Sequence, residues 1–396
     1  FAARGFALQL LTGMNGMRLV GIANRTISYG ELAYTQAGQT AYEVVTSQEQ
    51  CDAAAREKRY ILTQNPHLLT DSQYVDVIVE ATGEVEAGCQ VVLRAIEQKK
   101  HVVLLNAELD TTLGPILKKK ADEAGVVYTQ ADGDQPGVLM NLYRYVSFLG
   151  FKPVMAGNIK SLIDPRRTPE TQKRWADEHF QRPKMVTSFA DGTKISYEMA
   201  TVANATGFTV SVRGMEGPKA THVDEAPKKF SCEELLKHGR IDYILGAEPS
   251  FGVFILGYSD QPIKKRYMNV YKMGEGPLYT FYTPYHLSPL EAPLSVARAV
   301  LFRDVCLAPT HGSVCDVVPL AKRDLKQGEI LDGIGGFTCY GAIDNTPVLK
   351  QNNIIPMGLT DGCILKRDIP MDQEITYDDI VLPDNRLCDS LIREQS

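Results

Sequence analysis

Residues 75–108 decide the fold: VDVIVEATGEVEAGCQVVLRAIEQKKHVVLLNAE. A buried strand predicted over 75–83 is followed by an amphipathic helix over 86–100 and by another buried strand over 101–108. GPILKKKADEAG (114–125) and VVYTQADGDQPG (126–137) repeat this helix–strand cycle. Such alternation indicates βαβ units and a parallel sheet with helices on both faces. We therefore predict an α/β protein built on a doubly wound parallel sheet.

The composition is that of an ordinary globular protein. The 396 residues are 44% hydrophobic and 23% charged, which permits sizeable cores, and about 100–200 residues per domain suggests two or three domains. The net charge of −6 gives no support for a nucleic-acid partner. No apolar run approaches the roughly 18 residues of a membrane span. Eight scattered cysteines without a CxxC pair favour reduced thiols and a cytoplasmic location.

The chain opens with a helix-like stretch, FAARGFALQLL (1–11), that has no start signal before it. In a doubly wound sheet, the first strand and a Gly-rich phosphate-binding loop precede the first helix. We therefore expect that strand and loop to belong before Phe1, with Ala2 near the pyrophosphate of a dinucleotide. The alternative is a genuine N-terminal helix.

Changes of pattern along the chain predict three domains. Residues 1–135 form the dinucleotide-binding domain, to which 293–311 return, and 136–292 form an aromatic-rich α+β substrate and catalytic domain. A near-duplication follows, in which AKRDLKQGEILDG (321–333) recurs as LKRDIPMDQEITYDD (365–379). We expect residues 312–396 to form a small β-rich module of two related strand–turn units.

Small and polar residues at the predicted strand ends indicate a nicotinamide cofactor. Asn24 and Arg25 stand where an Asp or Glu usually binds a free ribose 2′-hydroxyl. The guanidinium of Arg25 suits a 2′-phosphate, which favours NADP(H) over NAD; the alternative is a solvated loop arginine. The other residues predicted to bind the cofactor follow two successive strands: Ala81, Thr82, Gly83, Asn106 and Glu108.

FADGTKISYEMATVANATG (189–207) is the strongest catalytic candidate. Its spacing is helical, with Asp191 as the expected N-cap, so Lys194 and Glu198 project from one face. A lysine beside a buried carboxylate can exchange a proton with a substrate oxygen during hydride transfer. We assign that exchange to Lys194, with Glu198 and Asp191 setting its pKa and position. The alternative is a surface salt bridge of about 0.3–0.5 kcal/mol.

GNIKSLIDPRRTPETQKR (157–174) concentrates cations in a structured turn. Such cations suit an anionic substrate group, although a solvated helix start would show the same pattern. The predicted substrate-binding residues are Asn158, Lys160, Arg166 and Arg167, together with Tyr285 and His286 from FYTPYHLSPLEAP (281–293). His286 could also be a structural histidine among aromatic residues.

ADGDQPG (131–137) contains Asp132 and Asp134. Paired carboxylates could bind a divalent metal, but an ordinary acidic turn is the favoured interpretation, so we assign no metal ligands.

Several of these stretches resemble a known family. KKHVVLLNAELD, GNIKSLIDPRRTP, TSFADGTKISYEMATVANATG and GPLYTFYTPYHL together resemble the homoserine dehydrogenase-like oxidoreductases, which have a Rossmann-type sheet. The duplicated KRD segments resemble the SAF domain. The combination is similar to the 1-deoxy-D-xylulose 5-phosphate reductoisomerase-like enzymes, which implies NADPH-dependent isomerisation and reduction of a phosphorylated ketose for isoprenoid precursor synthesis.

The resemblance is uneven at two positions. Homoserine dehydrogenases typically have a lysine after the asparagine that matches Asn106, whereas this chain has Ala107. Asp191 and Lys194 match their catalytic Asp and Lys at a spacing of three rather than four.

The leading hypothesis is an NADPH-dependent oxidoreductase that acts on a small phosphorylated hydroxy-carbonyl compound as a homo-oligomer. One alternative is a homoserine dehydrogenase-like or sugar-acid dehydrogenase without isomerisation. An alternative from another class is an NADP-binding sensor without turnover.

Overall fold

The computed structural model describes residues 1–395 and divides into two compact units. The first comprises Phe1–Asp134, Leu287–Ala308 and the chain end from Ser390, and the second comprises Gln135–His286 and Pro309–Asp389. The sequence predicted three domains, whereas the structure joins 309–389 to the catalytic part in one unit. Most of the segment predicted to return, over 293–311, lies in the first unit.

Helices and strands alternate through the first part of the chain. The helices are α1 (Ala2–Thr12), α2 (Ile27–Gln36), α3 (Gln48–Arg56), α4 (His67–Thr70), α5 (Val85–Glu97), α6 (Ala107–Ala124), α7 (Gln135–Phe148), α8 (Pro169–Glu178), α9 (Pro183–Ala190), α10 (Thr193–Thr206), α11 (Cys232–His238), α12 (Pro262–Val270), α13 (Ser288–Ala297), α14 (Thr346–Gln351) and α15 (Leu387–Gln395). The strands are β1 (Gly21–Ala23), β2 (Glu43–Val44), β3 (Ile61–Thr63), β4 (Val77–Glu80), β5 (His101–Leu104), β6 (Tyr128–Gln130), β7 (Lys152–Lys160), β8 (Arg240–Leu245), β9 (Gly252–Tyr258), β10 (Leu278–Thr283), β11 (Cys315–Ala321), β12 (Cys339–Asn345), β13 (Ile364–Leu365) and β14 (Ile380–Val381). Over residues 1–395, no helix is long and apolar enough to cross a membrane.

The first unit confirms the predicted Rossmann-type architecture. Its strands form two three-stranded parallel sheets, in the orders β1–β3–β2 and β4–β5–β6. Val77 pairs with His101, and Val102 pairs with Tyr128. Phe6, Val103 and Ala131 are members of one buried cluster, so α1 packs on the strands that follow it.

The strand predicted over 101–108 is shorter in the structure, because a helix starts inside that range. Strand β5 ends at Leu104 and α6 begins at Ala107. The Asn106 side chain accepts a hydrogen bond from the Leu109 amide (3.0 Å) and so caps the helix. Asn and small residues after an apolar run therefore marked a helix cap as well as a strand end.

The second unit is organised by a four-stranded mixed sheet in the order β10–β9–β7–β8. Strand β7 runs parallel to β8 and antiparallel to β9. Val154, Ile244, Phe254 and Leu256 form part of the buried core of this sheet. Two small antiparallel sheets, β11–β12 and β13–β14, follow in the C-terminal part of the unit.

Helix α10 explains why the C-terminal part belongs to this unit. Strands β11 and β12 both contact α10, and twelve of its fourteen residues are buried. The Asn204 Oδ1 atom on α10 accepts hydrogen bonds from the Val314 amide (2.7 Å) and the Cys315 amide (2.9 Å). The Gly341 amide of β12 donates to Thr193 Oγ1 (2.8 Å). The long-range bonds that tie the module to this helix carry no signal in the sequence.

The two KRD segments pair with each other. The Leu325 amide donates to the Ile369 carbonyl (2.8 Å), and the Ile369 amide donates back to Leu325 (3.0 Å). Asp324 Oδ1 accepts from the Met371 amide (2.9 Å), and Asp368 Oδ1 accepts from the Gln327 amide (2.9 Å). Equivalent residues thus make equivalent bonds across a local two-fold relation, which is the physical reason for the duplicated pattern.

We predict that Leu325→Ala destabilises this module because Leu325 is fully buried at the centre of the pairing. Deleting a buried leucine side chain costs about 2–5 kcal/mol. Urea unfolding of the variant should show a free energy of unfolding lowered by that amount. The control is Ile330→Ala, whose side chain is 61% exposed, with an expected change of about 0.5 kcal/mol or less. Equal losses in both variants would contradict the pairing as the centre of the module.

Candidate active site

In the first unit, a buried carboxylate joins the ends of β4 and β5. The Glu80 side chain is 2% exposed; its Oε1 accepts from the Thr82 amide (2.7 Å) and its Oε2 from Asn106 Nδ2 (2.7 Å). Burial raises the pKa of Glu80, while the bonds from Thr82 and Asn106 act in the opposite direction. Glu80 was not among the predicted site residues, although it stands directly before the quoted Ala81.

The side-chain amide of Asn106 is used in hydrogen bonds within the domain. Besides bonding Glu80 and capping α6, its Nδ2 donates to the Glu84 carbonyl (3.2 Å). Asn106 therefore fixes the loop after β4 and the start of α6 relative to each other. If Asn106 contributes to cofactor binding, as the sequence predicts, it does so by positioning that loop.

The other residues predicted to bind the cofactor differ in their exposure to solvent. Thr82 and Arg25 are exposed, Ala2, Asn24, Ala81 and Gly83 are half-buried, and Glu108 is buried. The Asn24 Oδ1 atom accepts from the Thr26 amide (2.9 Å), so it shapes the turn after β1. Gly83 has φ +72, a conformation that glycine adopts without strain. Among the predicted cofactor residues, Arg25 and Thr82 are thus the most accessible to a dinucleotide.

In the second unit, the charges of a lysine and a glutamate on α10 act on a lysine at the end of β7. Lys160 is the last residue of β7, while Lys194 and Glu198 lie one turn apart on α10. Burial and the positive charge of Lys194 lower the pKa of Lys160, and the negative charge of Glu198 opposes them. We call Lys160, Lys194 and Glu198 the lysine cluster. The structure thus brings together one residue predicted for the substrate and two predicted for catalysis.

Asn158 accompanies the lysine cluster on the same strand. Residues 158 and 160 lie on the same face of β7, because side chains alternate along a strand. Asn158 is 5% exposed, so it forms part of the wall beside Lys160.

The start of α10 differs from the prediction. Its N-cap is Gly192 (φ +91) rather than Asp191. Asp191 is instead the C-cap of α9. Asp191 is 1% exposed; its Oδ1 accepts from the Thr193 amide (2.9 Å) and its Oδ2 lies 2.8 Å from Lys322 Nζ. Asp191 therefore orders the first turn of α10 from outside the helix, and its ion-pair partner is in the C-terminal part of the unit.

The two predicted anion-binding arginines already have carboxylate partners. Arg166 forms an ion pair with Asp372 and donates to the Lys322 carbonyl (3.0 Å). Arg167 Nε lies 2.9 Å from Asp164 Oδ2. These bonds order the loop after β7, and the role of Arg166 and Arg167 in binding an anionic substrate stays a prediction. Charge spacing in the sequence could not show the pairing of Arg166 with a residue 206 positions away.

Tyr285 and His286 lie after β10. Tyr285 is 55% exposed, and the His286 ring packs on Phe251 with 4.3 Å between ring centres. His286 therefore lies in aromatic packing, as in the structural alternative.

The acidic turn in the first unit is held by its neighbours. Asp132 is buried, and its carboxylate accepts from Ser295 Oγ (2.6 Å) and Arg298 Nη1 (2.9 Å). Across residues 1–395, no group of three or more His, Cys, Asp or Glu side chains could hold a metal ion.

Two parts of the chain match known protein families. Residues 3–130 match the NAD binding domain of homoserine dehydrogenase, and residues 133–292 match the catalytic domain of oxidoreductase DRL. The chain combines a homoserine dehydrogenase-type NAD-binding domain with an oxidoreductase DRL catalytic domain. The lysine cluster lies in the DRL catalytic domain. The predicted SAF resemblance of 312–396 lies outside both matches and stays a prediction.

The chain is similar to several solved structures at low identity. A homoserine dehydrogenase from Thiobacillus denitrificans is 13% identical, with 78% of this chain and 75% of that chain covered and a TM-score of 0.41. A probable dehydrogenase from Thermotoga maritima is 13% identical, with coverages of 76% and 86% and a TM-score of 0.43. The 1-deoxy-D-xylulose 5-phosphate reductoisomerase from Zymomonas mobilis, solved with NADPH, is 12% identical, with coverages of 74% and 78% and a TM-score of 0.39. No curated protein sequence matches the chain.

We predict that Asn106→Ala destabilises the NAD-binding domain. The change removes a helix cap, worth about 0.5–2 kcal/mol, and leaves Glu80 Oε2 without its Asn106 donor, which costs about 1–3 kcal/mol. Chemical unfolding should show a free-energy loss of about 1.5–5 kcal/mol.

The control for this variant is Asn24→Ala, which removes one bond in a half-buried turn and should cost about 1 kcal/mol or less. If Asn106→Ala were as stable as this control, the Glu80–Asn106 network would not organise the strand ends.

Proposed function

We propose that this oxidoreductase uses NADPH to reduce a small phosphorylated hydroxy-carbonyl compound, with 1-deoxy-D-xylulose 5-phosphate as the favoured substrate. The observation that carries the proposal is the lysine cluster at the end of β7. Two cations and one carboxylate leave a net positive charge there, which favours an anionic substrate. The DRL catalytic domain, which contains the cluster, supports the choice of an oxidoreductase reaction.

The exposed residues at the ends of β1 and β4 fit a nicotinamide dinucleotide. Arg25 would hold a 2′-phosphate through its planar donor fork, and the Ala81–Gly83 backbone would face the cofactor at the carboxyl end of the sheet. When bound, the reduced nicotinamide supplies a hydride to the substrate carbonyl carbon. We propose NADPH rather than NADH for two reasons. Arg25 suits a 2′-phosphate, and position 24 is Asn rather than an acidic residue.

Lys160 is the proton-transfer group in this proposal. As the carbonyl carbon gains the hydride, its oxygen takes a proton from the Lys160 ammonium group, which becomes a neutral amine. The lowered pKa of Lys160 makes that transfer easier, because general acids work best with a pKa near the working pH. The sequence assigned this step to Lys194; we propose Lys160 instead because the charges of Lys194 and Glu198 both act on its pKa.

Lys194 and Glu198 take the remaining roles. Lys194 stabilises the negative charge that develops on the substrate oxygen. Glu198 is 8% exposed, and its negative charge raises the pKa of Lys160 against the lowering by burial and Lys194.

A dehydrogenase without isomerisation is the second candidate, since the same cluster would reduce any carbonyl. Incubation with NADPH and 1-deoxy-D-xylulose 5-phosphate separates the two, because the favoured reaction oxidises NADPH and gives a rearranged carbon skeleton. Binding of NADPH without oxidation across a panel of phosphorylated and non-phosphorylated ketoses and aldehydes would instead indicate a sensor.

We expect Lys160→Met and Lys194→Ala to lose turnover while keeping the cofactor. Removal of a general acid or a charge-stabilising group typically costs about 10²–10⁴-fold in rate. Each variant should therefore lose at least about 100-fold in kcat, with the Kd for NADPH, measured by fluorescence, changed less than about twofold. A Lys160→Met variant with the wild-type kcat would refute the assigned role.

Glu198→Gln should move the pH dependence of the reaction toward acid. The reductive direction needs protonated Lys160, so kcat/KM falls as the pH rises through the pKa of Lys160. Glu198 raises that pKa, so removing its charge lowers the pKa and shifts the falling limb to lower pH. The control is Glu233→Gln on α11, whose side chain is 81% exposed, and its profile should match the wild type. A shift to higher pH in Glu198→Gln would contradict the sign of the coupling.

A further inference from the structure

We propose that Lys322 is a positioning residue that fixes the first turn of α10 through Asp191, and thereby sets the place of Lys194. The inference rests on the proposed function, because it concerns the helix that carries two members of the lysine cluster. It gives the C-terminal part of the second unit a role in the reaction.

Lys322 is held rigidly in the protein interior. Only 3% of its side chain is exposed, and its Nζ lies 2.8 Å from Asp191 Oδ2. The same atom donates to the carbonyls of Arg167 (2.8 Å) and Gly336 (2.7 Å). Two hydrogen bonds to backbone carbonyls and one ion pair therefore hold the ammonium group in place.

Asp191 connects Lys322 to the first turn of α10. Its other carboxylate oxygen accepts from the Thr193 amide, one of the first amides of the helix, which lack a partner inside it. The Gly341 amide of β12 holds Thr193 Oγ1 from the other side. Ser196 Oγ donates to the Gly192 carbonyl (2.8 Å) and closes the turn. Lys194 lies between these anchored residues, so its backbone is fixed by groups of the C-terminal part.

The duplicated segment offers a matched comparison for Lys322. Lys366 occupies the same position in the second KRD copy, but it is exposed. Two lysines in equivalent sequence settings therefore differ in what they contact, and only the buried one reaches the α10 start. A general effect of lysine loss in this module would appear in both variants.

The experiment compares Lys322→Met with Lys366→Met in full-length protein, with NADPH and 1-deoxy-D-xylulose 5-phosphate as substrates. We expect Lys322→Met to lower kcat at least tenfold, with the KM for each substrate within about threefold, because the chemistry is misplaced rather than binding lost. Lys366→Met should match the wild type. A wild-type kcat in a folded Lys322→Met variant would overturn the proposal.

A second variant covers the case in which Lys322→Met fails to fold, since it leaves Asp191 buried without its cation. Asp191→Asn/Lys322→Met removes both charges and should regain thermal stability, yet kcat should remain at least tenfold below wild type. Recovery of the wild-type kcat in the double variant would also overturn the proposal.

Hydrogen exchange separates this proposal from the proposed function. In Lys322→Met or the double variant, amides of residues 193–198 should exchange at least tenfold faster than in wild type, while those of α7 should be unchanged. This readout needs no substrate, so it tests the positioning role even if the wild type fails to oxidise NADPH with this ketose. Unchanged exchange at 193–198 would count against Lys322 whatever the activity shows.

Discussion

The structure depends on the compensation of charge around one buried helix. Helix α10 presents Glu198 and Lys194 to Lys160 on one side, and its start is anchored by the Asp191–Lys322 ion pair. Removing charges from water is costly, and a buried charge is tolerated only with opposite charge or hydrogen bonds beside it. The strand β7, the helix α10 and the C-terminal strands are therefore constrained to meet at fixed positions. The proposed proton-transfer site depends on that constraint.

Parts of this arrangement could be predicted from local sequence because they depend on local periodicity. The alternation over 75–137 predicted the parallel sheet, and the i,i+4 spacing placed Lys194 and Glu198 on one helix face. The two KRD copies predicted two related strand–turn units, which pair through Leu325 and Ile369. In each case the prediction rests on a pattern of residues close together in the sequence, or on a repeated segment.

The remaining parts depend on contacts between residues far apart in the chain. Lys322 joins Asp191 across the boundary between two predicted domains, and Arg166 joins Asp372 in the same way. Arg166 was predicted to bind an anion because it stands among other cations in the sequence, and the structure adds an ion pair with a distant carboxylate. Asn106 was likewise assigned to the cofactor, whereas its amide is spent on Glu80 and the α6 cap. A single sequence does not show which polar groups are consumed by the scaffold.

The most direct test of the account is the pKa of the Lys160 amine itself, measured by competitive acetylation across pH and mass spectrometry of the peptide that contains it. The account predicts half-maximal reactivity below the ordinary lysine value of 10.5. A Lys160 amine that titrates at or above 10.5 would show that burial and Lys194 do not act on it as described, and the assignment of proton transfer to Lys160 would fall.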